Sequence, residues 1–306
     1  MALYICKRVA QLVPLLLVIA FVVFVALSLA PGDPTTLLLG QNATPDEVAR
    51  LNHELGLDRS IVVQYLSFVG DALGGDLGES YRSGRDVVSE LGRTASVSAT
   101  LAITAMLLAV TVGVGVGILT AVKQYSWIDN VVRVGVLALV SMPVFWLAIL
   151  LIIAFSVKIS IFPAFGWGTY GHLVLPALAL STYPLAVITR LTRSSMLEVL
   201  GSDYVRTARA AGMPERTVVL KYALKNALGP VLTVIGLQFG ALIGGAVLTE
   251  TIFGIPGMGR LMVTAIEGRD YPIVRGAVLL GTVVFVLLNL AVDVLYKWVD
   301  PRQRGL

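Results

Sequence analysis

The sequence holds one cysteine, Cys6, so no intrachain disulfide is available to it. Its two histidines, His53 and His172, lie far apart with no cysteine near either, which leaves no metal-ligand cluster to expect. Charge is scarce. Charged residues make up 14% of the chain, where a soluble domain carries roughly a quarter. No G-x-x-x-x-G-K-[ST] loop occurs, which excludes ATP hydrolysis by that route. The apolar runs contain no paired carboxylates and no nucleophile beside a base, so the pattern argues against catalysis. Coupling to an ion gradient needs ionisable groups at mid-membrane, and Asp293 is nearly alone there. The formal net charge of +4 points to no nucleic-acid partner.

Apolar residues are abundant, at 57% of the chain with a mean hydropathy of +0.85. They gather in runs of about 20, the length of helix that crosses a hydrocarbon layer. Six candidate spans follow: 9–30, 96–122, 134–157, 173–190, 228–249 and 274–296. The fourth carries Pro176 and Pro184, tolerable where neighbouring helices satisfy the freed carbonyls. The run from Val9 to Ala30 is long for a secretory leader and lacks a small-residue cleavage pattern, so it reads as a retained span. Cys6, next to Lys7 and Arg8, reads as a membrane-edge residue, with lipidation as the alternative. With the N-terminus in the cytoplasm, inside segments hold fourteen lysines and arginines and outside segments nine. Long translocated loops are exempt from the positive-inside rule, and without segment 31–95 the outside count falls to four. Both termini are expected inside. The organisation expected is an N-terminal segment and first span (1–30), a periplasmic segment (31–95) and a five-span core (96–306) with a cytoplasmic loop at 190–227.

Local signals fill in the segments between spans. Thr44-Pro45-Asp46-Glu47 reads as an N-cap, a first-turn proline and two acids on the positive helix end. Gly56 is expected to end that helix, and Ser60 to cap an amphipathic one through Leu73. Gly113, Gly115 and Gly117 lie inside an apolar run with no strand before them, so helix packing is expected rather than nucleotide binding. In the inside loop, Ser202 or Asp203 is expected to cap a short helix through Ala211. Gly212 should then take the left-handed conformation that stops it, and Pro214 fits the first turn of a second helix. Ala208, Ala210 and Ala211 would give the short helix a small surface that settles into a cleft on another protein. The alternative is an amphipathic helix binding anionic lipid through Arg206 and Arg209. In the fifth span Gly236, Gly240 and Gly244 recur every four residues, beside Gln238. Close helix packing and a cargo path both suit such a face. Asn289 and Asp293, four apart in the sixth span, complete the polar candidates.

The run around Ala208 and Gly212 resembles the EAA loop of ABC-importer permeases, whose short helix docks in the ATP-binding subunit. Arg206, Thr207 and Ala208 stand at the E-A-A positions, and Pro230 lies further beyond Gly212 than in the generic loop. Both departures are similar to the peptide/nickel branch, with its R-T-A-R-A-x-G. The same branch is matched by Ala30-Pro31-Gly32-Asp33-Pro34, Leu55-Gly56-Leu57-Asp58 before Gln64-Tyr65, and Gly75-Asp76-Leu77-Gly78 before Ser80-Tyr81. Later matches are Ile255-Pro256-Gly257-Met258-Gly259-Arg260, Arg269-Asp270-Tyr271-Pro272 and Asp300-Pro301-Arg302. The N-terminal arrangement resembles the first permease of such systems. The resemblance implies an all-α integral membrane protein of the type I, MetI-like permease fold with a periplasmic insertion after the first span. It implies a second homologous permease, two ATP-binding cassette subunits that bind ATP and magnesium, and an extracytoplasmic solute-binding protein. The cargo implied is a di- or oligopeptide, with nickel chelates or glutathione as alternatives. Arg206 to Gly212 (Arg206, Thr207, Ala208, Arg209, Ala210, Ala211, Gly212) would be the ATPase-coupling segment.

Overall fold

The computed structural model describes residues 2–29, 34–40 and 43–299. Among them the chain is helical, and the single β-bridge joins Glu79 to Asp86. The helices run α1 (Ala2–Leu29), α2 (Pro34–Leu39), α3 (Pro45–Glu54), α4 (Ile61–Leu73), α5 (Val87–Val122), α6 (Trp127–Ser141), α7 (Val144–Leu151), α8 (Tyr170–Leu200), α9 (Asp203–Ala210), α10 (Glu215–Thr217), α11 (Leu224–Phe253), α12 (Met258–Glu267) and α13 (Tyr271–Val299). Two π-helical stretches follow α7 and α10, at Ile152–Lys158 and Val218–Ala223. The helices fall into two compact units, one of residues 1–98 with 256–287 and the other of 99–255 with 288–306.

In the first unit, α3 begins on the expected cap. Thr44 Oγ1 accepts from the Glu47 N–H at 3.4 Å, while Glu47 returns a carboxylate to the Thr44 N–H at 2.8 Å. The two bonds satisfy orphan donors at both ends of the first turn. Gly56 follows the helix at φ +66. Ser60 holds the N-cap position of α4, but its side chain makes no capping bond. Gln64 instead fixes the preceding turn, its amide donating to the carbonyls of Leu57 and Arg59. Tyr65 anchors α4 to α1 by donating to the Leu17 carbonyl at 2.9 Å, and its ring meets Phe21 and Phe24 edge-on. The unit closes through a polar clasp. The Ser80 hydroxyl and the Tyr81 N–H both donate to the buried carboxylate of Asp270. Beneath it Val87 and Leu91 of α5 pack on Ile273, Val274 and Ala277 of α13. A Cβ at Gly276 would come within 2.8 Å of Val87 Cγ1, so glycine sets this approach.

In the second unit α8 is the central element and packs most extensively on α11, α6 and α7. Gly113 and Gly117 of α5 meet it directly. A Cβ at Gly117 would lie 2.6 Å from Thr192 Cβ and one at Gly113 3.1 Å from Ile188 Cγ2, whereas Gly115 faces open space. Gly113 and Gly117 serve helix contact, as expected, and Gly115 does not. Pro176 and Pro184 sit inside an unbroken α8.

The third expected span is corrected. Instead of one helix over 134–157, α6 starts at Trp127 and meets α7 at a bend of 105°. The break follows from Pro143, which offers no N–H and pushes Met142 out of helical geometry, to φ −83 and ψ 125. Four helices among the described residues are long and apolar enough to cross a membrane, and the bent pair supplies a fifth at most. In α1 the described apolar stretch is Val13–Leu29.

Candidate functional site

The inside loop forms a helix, a turn and a second helix. The α9 helix holds its place through Val205 and Ala208, both buried and packed on Val218. Ala208 therefore faces inward, which corrects the expectation that it contributes to a small outer surface. Arg206, Thr207, Arg209, Ala210, Ala211 and Gly212 are exposed. Ser202 stands at the N-cap, but its hydroxyl donates back to the Val199 carbonyl instead of accepting from the first turn. Gly212 has φ +76, the left-handed geometry that a Cβ penalises. The Met213 N–H then reaches the Ala208 carbonyl at 3.3 Å, in the manner of a helix C-cap. Pro214 is the N-cap of α10 rather than a residue of its first turn. Across the turn Arg209 donates twice to Glu215, at 2.7 and 3.1 Å, and this carboxylate raises the Arg209 pKa above its ordinary range. The pair crosslinks the two helices of the loop.

No sequence motif marks Arg193 or Asp129 as a site residue, yet the two hold the loop's base. Arg193, near the end of α8, makes a two-pronged pair with Asp129 of α6, Nε and Nη2 each at 2.8 Å. Asp129 has no exposed surface and also accepts from the Tyr125 N–H. The signal in sequence is faint: an acid three residues after Ser126, whose hydroxyl caps it.

The candidate translocation residues lie on two helices. Gly236 and Gly240 are buried in α11, and Gln238 between them is partly buried. The Gln238 Nε2 is buried without a partner among the described residues. The surroundings of Gly244 lie outside the described residues, as does the Asp293 side chain. Asn289 is partly buried on α13, one turn before Asp293. Metal-ligand clusters are absent among the described residues.

Against known proteins, residues 113–305 match the family described as binding-protein-dependent transport system inner membrane component, and residues 1–102 match its N-terminal companion. The chain belongs to this family. Its members are membrane permease components and are not themselves catalytic. The dipeptide transport system permease protein DppB of Alkalihalophilus pseudofirmus is 42% identical over 98% of each chain. DppB of Escherichia coli K12 is 41% identical over the same shares. The glutathione transport system permease protein GsiC of Salmonella choleraesuis is 42% identical, again over 98% of each. Among solved structures, an inward-facing MetNI methionine ABC transporter superposes with a TM-score of 0.59 at 19% identity, covering 69% of this chain and 96% of its own. An amino acid ABC transporter with histidines gives 0.51 at 15% identity. These likenesses establish the expected all-helical, MetI-like permease fold, and the several apolar helices make the chain a multi-pass inner-membrane permease.

Proposed function

We propose that this chain is one permease of an ATP-driven importer that carries di- or oligopeptides across the inner membrane. The observation that carries the reading is full-length similarity, at 41–42% identity, to dipeptide permeases. In this reading a second homologous permease completes the pathway. Two ATP-binding cassette subunits hold ATP and magnesium, and an extracytoplasmic binding protein delivers the cargo. Both termini are cytoplasmic, and six spans cross the bilayer. Residues 31–95 form a periplasmic segment and 96–306 the permease core.

Geometry supports a mechanical role for Arg206–Gly212. The exposed side of α9 is free to dock, while Val205 and Ala208 tie it to Val218, and the Arg209–Glu215 pair ties it to α10. Movement of a docked ATPase is then passed into the helix that becomes α11, where the Gly236 and Gly240 face, and Gln238 on the other side of the helix, would meet neighbouring helix or cargo. Closure of the ATPase dimer thus biases the spans between two states.

Glutathione is the second reading, favoured by GsiC at 42% identity. The two separate in uptake assays on cells whose other peptide importers are deleted. A labelled dipeptide should accumulate, and excess unlabelled dipeptide should suppress uptake more strongly than excess glutathione. Suppression by glutathione alone would transfer the assignment. Uptake of neither, with the binding protein present, would overturn the peptide reading.

A further inference from the structure

Arg275 lies in the second turn of α13 and does nothing that the transport reading requires. Its guanidinium sits 3.6 Å from the centre of the Phe24 ring, with the Tyr271 ring at 5.7 Å. No carboxylate among the described residues pairs with it, and its Nε is buried without an acceptor. A buried charged donor left unmet is costly, and an ionised group at the edge of an apolar helix is kept where it meets something.

Beside it opens a cavity of about 490 Å³, also lined by Arg59, Gln64 and Asp58. Asp58 is already engaged by His53 Nδ1 at 2.7 Å. Gln64 holds the backbone of Arg59 through that residue's carbonyl. Two arginines, one braced by aromatic faces and one on a fixed turn, thus line the same space. Planar guanidinium forks match the oxygens of a phosphate.

We propose that this cavity is a phosphate site, seating the headgroup of an anionic phospholipid at the membrane edge. The walls argue for lipid over a free ion. Phe24 stands near the end of α1, and the cavity also meets Ser28 in its last turn. Exposed Val18, Val22 and Leu29 of the same helix offer an apolar track for acyl chains. Arg275 opens α13, so both helices place the headgroup at one end of their spans, whichever side that end faces. Basic pockets between membrane helices recognise headgroups in this way. The inference does not depend on the cargo.

The test uses the permease purified with its partner subunits in detergent and stripped of lipid. Native mass spectrometry then follows titration with phosphatidylglycerol, with diacylglycerol as the phosphate-free control and inorganic phosphate as competitor. Phosphatidylglycerol should be retained and diacylglycerol should not. Arg275→Gln and Arg59→Gln should each weaken retention about fivefold, as expected for one basic contact near a membrane surface. Arg275→Lys, which keeps charge and loses the fork, should fall between. Displacement of the lipid by millimolar inorganic phosphate, with the same dependence on Arg275, would assign the site to free phosphate. Equal retention by wild type and both glutamine variants would overturn the proposal. Arg59 is exposed on a turn, so its variant carries the test if Arg275→Gln fails to assemble.

Discussion

A carboxylate with no surface in water, gripped by two guanidinium nitrogens at 2.8 Å, leaves a stranded partner when it is neutralised. Breaking such a pair from one side costs about 3–5 kcal/mol, because the surviving charge loses its compensation. Asp129→Asn is therefore expected to lower the unfolding midpoint of the purified permease sharply. Arg193→Leu added to it should cost less than the sum of the two single changes, which calorimetry on all three variants reads directly. Gly117 offers a second residue-scale test with a built-in control. Its missing Cβ would overlap Thr192, while that of Gly115, two residues away, would meet nothing. Gly117→Leu should cost about 1–3 kcal/mol by overpacking, and Gly115→Leu should leave thermal stability nearly unchanged. Equal loss in both would show that the α5–α8 contact does not govern these positions.

Among the elements, the turn after α9 depends on one backbone angle. Gly212→Val forces a branched side chain into the left-handed region, at roughly 1–2 kcal/mol. The protein should still insert, but pull-down of the ATPase subunit should fall. Undiminished association and uptake would show that the turn is dispensable. The α3 helix predicts a pH response. The Thr44 N–H, and then the Thr44 hydroxyl, hold the Glu47 carboxyl below the usual glutamate range. A depressed pKa means that the bonds favour the ionised form. Their support is complete above the ordinary glutamate value and is lost as pH falls through the lowered one. The protection of residues 45–54 against hydrogen exchange, relative to the intrinsic rate at each pH, should therefore fall on acidification, and Glu47→Gln should remove most of the pH dependence.

These same elements mark what the sequence makes legible. The capping box, Gly56 and Gly212 are written within four or five residues, so local rules reach them. Pro143 was equally visible, but the apolar content on both sides of it reads as one span until the backbone is seen to turn. Asp129 and Arg193 stand 64 positions apart and Ser80 and Asp270 190. Nothing local pairs them. The loop's residues could be named, but the inward direction of Ala208 depends on Val218 in the helix beyond the turn, and periodicity within α9 alone does not reveal it.

For the molecule as a whole, orientation decides whether the exposed side of α9 can meet an ATPase at all. A fluorescent cytoplasmic reporter fused after Asn226 should be active, and a periplasm-dependent phosphatase fused after Gly74 should be active. The reverse pattern would place the loop outside and remove the coupling role together with the topology. The Asp270 clasp bears on how the chain is made. Its donors, Ser80 and Tyr81, leave the ribosome 190 and 189 residues ahead of the acceptor. At translation rates of about 5–20 residues per second, that gap lasts roughly 10–40 s. Throughout it, the 80–85 turn lacks the carboxylate that closes it. The first unit is thus finished among the last parts of the protein, after nearly all of the second has been synthesised. A chain cut short before Asp270 would therefore carry its N-terminal third with that turn unfastened.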